Sequence, residues 1–162
     1  MPKKNAAENL DNIRHRRDEV NSKIDEVRHS LAHLLAAAVL KKYPDTKLGI
    51  GPTIENGFYY DFLFKKPISP EVLPELEKLM REFISGKLEF KGKAVSPAEA
   101  KKVFSAGGGS AFGGKNQPFK LDLIKEFVKG KKKLTIYETR TPKTYNLKPI
   151  TYFVDLCRGG HV

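Results

Sequence analysis

The stretch Leu31-Ala-His-Leu-Leu-Ala-Ala-Ala-Val-Leu40 is apolar on nearly every side and is followed by Pro44. Ten residues with neither glycine nor proline read as helix, and a helix that is apolar all round is buried on more than one face. The three-four spacing extends back through Leu10, Ile13, Val20, Ile24 and Val27, so one helix is predicted from about Ala6 to Tyr43. Residues 1–28 carry seven basic and six acidic side chains around a single apolar stripe. They read as a solvated N-terminal helical extension with a coiled-coil-like contact face, ahead of a domain over residues 29–162.

Beyond Pro44 the period shortens toward two. Asn56-Gly57, between Thr53-Ile54 and Phe58-Tyr-Tyr-Asp-Phe62, predicts a hairpin. Ser69-Pro70-Glu71 opens a helix whose inner face is Leu76, Leu79, Met80 and Phe83. A strand near Leu88–Val95 follows, then Ser96 and Glu99 form a capping box for a helix ending near Phe104. Residues 107–114 read as a flexible glycine tract and mobile surface loop, 118–128 as a further helix, and 134–137 and 150–154 as strands. The fold class is α+β, with an antiparallel sheet packed against a long N-terminal helix and shorter helices.

The 162 residues suffice for about one domain with its own core. A single cysteine, Cys157, excludes a disulfide framework. No apolar run reaches the length of a membrane span and the N-terminus lacks a signal-peptide core, so a cytoplasmic location is expected. The formal net charge is +11, of which +9 falls in residues 101–162, with thirteen basic and four acidic side chains. Such a field favours a polyanion such as RNA or DNA, although a lysine-rich surface also serves solubility alone.

Two short motifs carry chemistry. His29 and His33, four apart, stand one turn apart on one helix face, roughly opposite the stripe of Val20, Val27, Leu34 and Ala38. Asp155-Leu-Cys-Arg-Gly-Gly-His161 places Cys157 and His161 at the same spacing after a strand. Cys, His, His and His are zinc-ligand types, and equally the groups that orient and deprotonate a water without metal. Two packed histidines and a buried thiol are the bland alternative.

Four segments, His29-Ser-Leu-Ala-His-Leu-Leu35, Leu48-Gly-Ile-Gly-Pro-Thr-Ile-Glu-Asn-Gly-Phe-Tyr-Tyr-Asp61, Gln117-Pro-Phe-Lys-Leu-Asp-Leu-Ile124 and Asp155–His161, resemble the editing domain of threonyl-tRNA synthetases, related to alanyl-tRNA editing domains. The resemblance implies hydrolysis of the ester joining serine to the 3′ end of threonine tRNA. Serine differs from threonine by one methyl, worth only about 1–3 kcal/mol in a binding pocket, so a second sieve is needed. It also implies His29, His33, Lys120, Cys157 and His161 as the catalytic group. On this reading His29 and Lys120 activate the water, and His33 and His161 hold the ribose and the developing oxyanion. Tyr60, Asp155 and Arg158 are the implied substrate-binding residues, and Cys157 part of the wall that judges side-chain size. A lysine held at a helix entry also fits a lowered ammonium pKa.

Glycine at 160 stands where the family often has proline, which implies a looser turn before His161. Gly109, Gly114 and Lys115 only approximate a phosphate loop, since Asn116 replaces the required hydroxyl residue. No cofactor is required on this reading, while zinc on His29, His33, Cys157 and His161 is chemically admissible. No sequence remains for the ATP-dependent or anticodon-binding domains. The expectation is therefore a monomeric fragment of a homodimeric synthetase, with a zinc-stabilised, non-catalytic RNA-binding module as the alternative.

Overall fold

The computed structural model describes residues 6–145 and 147–162, with side chains described from Ile13 onward. The expectations that touch residues 1–5 and the side chain of Leu10 lie outside the described residues. Helix α1 runs unbroken over Ala6–Lys42, about 55 Å at 1.5 Å per residue. The predicted extension and domain thus share one rod.

From Ala32 to Leu40 α1 is almost wholly buried, with Ala36, Ala37, Ala38 and Leu40 at 0% exposure. Its small side chains let α2 (Leu73–Ser85) and the sheet approach closely, and Leu76, Phe83, Leu48 and Phe153 fill the space against it. Each such large side chain contributes roughly 1.5–3 kcal/mol by leaving water.

The sheet is an antiparallel meander of β5 (Glu89–Val95), β6 (Leu134–Arg140) and β7 (Thr151–Leu156), in the order β5-β6-β7. Strand alternation sends Phe153 to the α1 core, while Val154 joins Leu134 and Ile136 under α3 (Pro97–Ala106) and α4 (Pro118–Lys129). β6 and β7 run on to Arg140 and Leu156, beyond their expected ends at 137 and 154, while β5 matches its expectation to within one residue, and two further ladders stand apart from this sheet, each of two short strands.

Those ladders belong to one irregular hairpin. β1 (Lys47–Leu48) pairs with β4 (Phe62–Leu63), and β2 (Thr53–Ile54) with β3 (Gly57–Phe58). The register slips by one residue between them, because Asp61 faces two residues: its carbonyl accepts from Gly49 N–H (2.8 Å) and its N–H donates to the Ile50 carbonyl (2.9 Å). This is a β-bulge. The turn also differs from expectation. Glu55 and Asn56 occupy it, neither with positive φ, and Gly57 is already strand.

The capping box at Ser96 and Glu99 is present in full. At Ser69 a 3-10 turn, Pro70–Val72, intervenes before α2, and the serine hydroxyl bonds Glu71 instead of capping a backbone N–H. The glycine tract does not project freely. Ala111 N–H donates to the Thr151 carbonyl, and the Phe112 ring stacks on Tyr152 and Phe83. A Cβ on Gly113 would lie 2.6 Å from the Pro44 carbonyl oxygen. Close packing, as much as turn geometry, accounts for glycine there.

Candidate functional site

The site is built where the buried half of α1 crosses the end of β7. α1 supplies His29 and His33. β7 supplies Asp155, and the chain beyond it returns Cys157 and His161 to the same helix. The return is tied down: Val162 N–H donates to Ser30 Oγ at 3.0 Å, and that hydroxyl donates to the Glu26 carbonyl at 2.8 Å. Gly159 and Gly160 turn the chain at φ +101° and +85°. A proline, fixed near φ −65°, cannot adopt the backbone of residue 160.

Cys157 Sγ lies 3.1 Å from His29 Nε2 and 3.9 Å from His161 Nε2. One donor atom from each of His29, His33, Cys157 and His161 falls within 4.8 Å of the others. His161 is stacked on His29 (ring centres 4.4 Å) and on Phe90 (4.7 Å), with Tyr137 at 4.6 Å. Tyr137 lies against two glycines, for a Cβ on Gly92 would come 2.5 Å from its ring and one on Gly159 2.5 Å from its hydroxyl oxygen.

Behind this cluster sits a second layer. Asp155, 3% exposed, accepts from Tyr60 Oη at 2.7 Å through one oxygen and pairs with Lys120 Nζ at 2.6 Å through the other. His33 Nε2 stands 3.8 Å from the same oxygen that Tyr60 bonds. Tyr60 reaches Asp155 because residue 51 is glycine: a Cβ there would lie 2.2 Å from the tyrosine ring. The extended chain turns the two neighbouring tyrosines to opposite sides, Tyr60 buried and Tyr59 43% exposed. Lys120 is 2% exposed, and its ammonium lies 5.4 Å from the Tyr60 ring centre.

The electrostatics follow from this burial. Asp155 would be pushed up by burial, yet the Lys120 ammonium first, with the hydrogen bonds from Lys120 and Tyr60, holds its carboxyl below the ordinary range. Burial and the adjacent carboxylate push the Tyr60 phenol well above its usual value. Burial lowers the His33 imidazole to about 3 and that of His161 to about 4, the latter aided by His29. Burial raises the Cys157 thiol to about 11. At neutral pH, therefore, His33 and His161 are uncharged bases.

His33 Nδ1 and His161 Nδ1 are buried without a protein partner. Three imidazoles and a thiol at these separations suit a tetrahedral zinc, whose bond lengths put its donors about 3.5 Å apart. The four side chains could hold such an ion, with Asp155 behind His33 as an outer partner.

His29 also opens onto a cleft of about 510 Å3 whose α1 wall carries Asp18, Asn21, Ser22, Asp25 and Glu26, with Thr53, Gly159 and Gly160 opposite. Seven of the eight sequence-derived residues thus converge. Arg158 does not: it is exposed and its guanidinium rests 5.7 Å from the Phe127 ring. Phe90, Tyr137 and Ser30 went unnoticed in the sequence. The one available signal for them was Gly92, an isolated glycine inside a strand pattern, which marks close approach of another group.

No protein-family model matches the chain. It is 38% identical over 141 residues to the threonine–tRNA ligase of Dehalococcoides mccartyi, covering 87% of this chain and 20% of that protein. It is 41% identical over 145 residues to the threonine–tRNA ligase of Rhodococcus erythropolis and 42% over 135 residues to that of Borreliella burgdorferi, covering 84% and 83% of this chain and 19% of each ligase. The chain spans about a fifth of the length of these relatives. Over most of its length, as its motifs implied, the chain is homologous to one segment of the threonine–tRNA ligases.

Proposed function

We propose that this segment is a post-transfer editing module that hydrolyses the ester of seryl-tRNA(Thr). One observation carries the reading: His29 stands both in the cluster with His33, Cys157 and His161 and at the mouth of an open cleft large enough for the end of a nucleotide chain. An ester carbonyl entering there meets the His29 imidazole, placed to order a water and accept its proton, with His33 and His161 beside it as hydrogen-bonding groups.

On this reading His29 and His161 touch water or substrate, His33 backs them from the buried layer, and Cys157 bounds the space beside them. Lys120 and Tyr60 act through Asp155, holding its carboxylate and so the orientation of His33, instead of meeting the ester themselves. The acidic α1 wall suits the α-ammonium group of an aminoacyl ester and repels phosphate. The tRNA backbone is then assigned to Lys131, Lys132, Lys133, Arg140 and Lys143. Residues 1–28 act as an extension to the editing unit, residues 29–162.

The donor set favours one second reading, a zinc-stabilised RNA-binding module without turnover. Zinc held by all four side chains would be coordinatively closed, which is the arrangement of a structural ion. Deacylation of seryl- and threonyl-tRNA(Thr) by this chain, with and without a zinc chelator, separates the two. Editing predicts hydrolysis of the seryl ester alone. No hydrolysis, together with unfolding by chelator, overturns editing in favour of the zinc module.

A further inference from the structure

The stripe that buries α1 in the core does not stop where the core stops. Residues Leu10, Ile13, Arg17, Val20, Ile24, Val27, Leu31, Leu34 and Ala38 follow a strict three-four alternation, the a and d positions of a heptad. Leu34 and Ala38 are buried, but Ile13, Val20, Ile24 and Val27 are 40–55% exposed. Val20, Ile24 and Val27 form a continuous apolar face on one line of the helix, with Ile13 one heptad position beyond Arg17, not scattered surface residues.

The charges beside that line are sorted. The positions flanking the seam, e and g in the heptad, hold Arg14, Arg16, Asn21, Lys23 and Arg28, while Asp18, Glu19, Asp25 and Glu26 lie on the outer b and c positions. Arg17 sits within the seam itself. Lys23 is paired with Glu19 in an exposed pair worth little, whereas Arg28, half-buried, is held by Asp25 and by the Ile54 carbonyl at 3.3 Å, which leaves Arg14, Arg16 and Lys23 as the open flanking charges.

Flanking charges choose the partner of such a seam, and a charged seam residue fixes its register. A second copy of this chain would set arginine and lysine rows against each other, parallel or antiparallel. A phosphate backbone would match the charges but bury none of the aliphatic face. We propose that the outer half of α1 docks an amphipathic helix with acidic flanks and an acidic residue facing Arg17.

The test uses two synthetic helical peptides with the same leucine seam, one flanked by glutamate and one by lysine. Each is titrated into the whole chain by fluorescence anisotropy at low and high salt, and sedimentation reports whether the chain alone self-associates. The expected result is at least tenfold tighter binding of the glutamate peptide and a gap that narrows with salt. Arg17→Glu should reduce that preference. The pair Val20→Glu and Ile24→Glu should abolish binding with helicity unchanged by circular dichroism. Equal binding of both peptides, or of neither, overturns the proposal. So does a dimer of the chain that the Val20 and Ile24 pair disperses. Binding of an RNA hairpin that Arg16→Glu weakens and Val20→Glu leaves intact would assign the face to nucleic acid instead.

Discussion

The two layers of the site use similar residue types under opposite conditions. In the deep layer Asp155, Lys120, Tyr60 and His33 are each less than a tenth exposed, and every charge has its counter-charge. In the outer layer His29, Cys157 and His161 are half-buried and held mainly by ring stacking and turn geometry. Burial makes a deep residue costly to change, whereas partial exposure lets an outer residue change with little structural penalty. The deep layer should therefore report on stability and the outer layer on chemistry.

The sharpest way to break this contrast is Lys120→Met. It leaves the Asp155 carboxylate buried and unpaired, and a loss of about 3–5 kcal/mol is expected. Urea denaturation checks it, and an unchanged midpoint would mean that water reaches Asp155. In the outer layer, His29→Ala should lower the rate of seryl-ester hydrolysis roughly 10²-fold or more, while its urea midpoint stays near that of the parent. A shift like that of Lys120→Met would erase the distinction between the layers.

Acid should act on both layers in a defined window. In chelator-treated protein, unfolded histidines take up protons near the ordinary value of 6.5, while His33 and His161 stay neutral down to about 3 and about 4. The unfolded chain thus binds more protons across that window, and stability falls as pH drops from about 6.5 toward 4. Asp155 adds a loss only lower still, as pH falls through its depressed value. Urea midpoints at pH 7, 6, 5 and 4 should decline, and His33→Phe should flatten the curve. The smallest effect is expected from Arg158→Ala, which removes one contact with the Phe127 ring worth about 0.5–1 kcal/mol and should leave hydrolysis within twofold.

Much of the fold was legible because local signals agreed. The α1 pattern, Pro44, the capping box and the proline-led helices each point to one structure. The hairpin turn misled because Asn-Gly is a strong local signal, while the register is set by the bulge at Asp61 and by the Tyr60 ring seated over Gly51. Both act through residues distant from the turn. At the site, spacing alone brought out the histidines and cysteine. It could not show that Lys120 faces Asp155 instead of solvent, since a lysine among many lysines carries no mark of its partner. Arg158 sits inside a motif yet points elsewhere, because strand alternation and the glycine turn decide direction after sequence has decided proximity.

The cluster joins residues 128 apart along the chain, Cys157 to His29. During synthesis the histidines of α1 emerge first and wait through the whole intervening domain before the segment bearing Cys157 and His161 arrives. At the some 5–20 residues per second of translation that wait lasts roughly 6–26 seconds. Neither the proposed ester cleavage nor the alternative four-coordinate metal site can form on a partly made chain. The site's competence is a report that the last strand of the meander has been laid down.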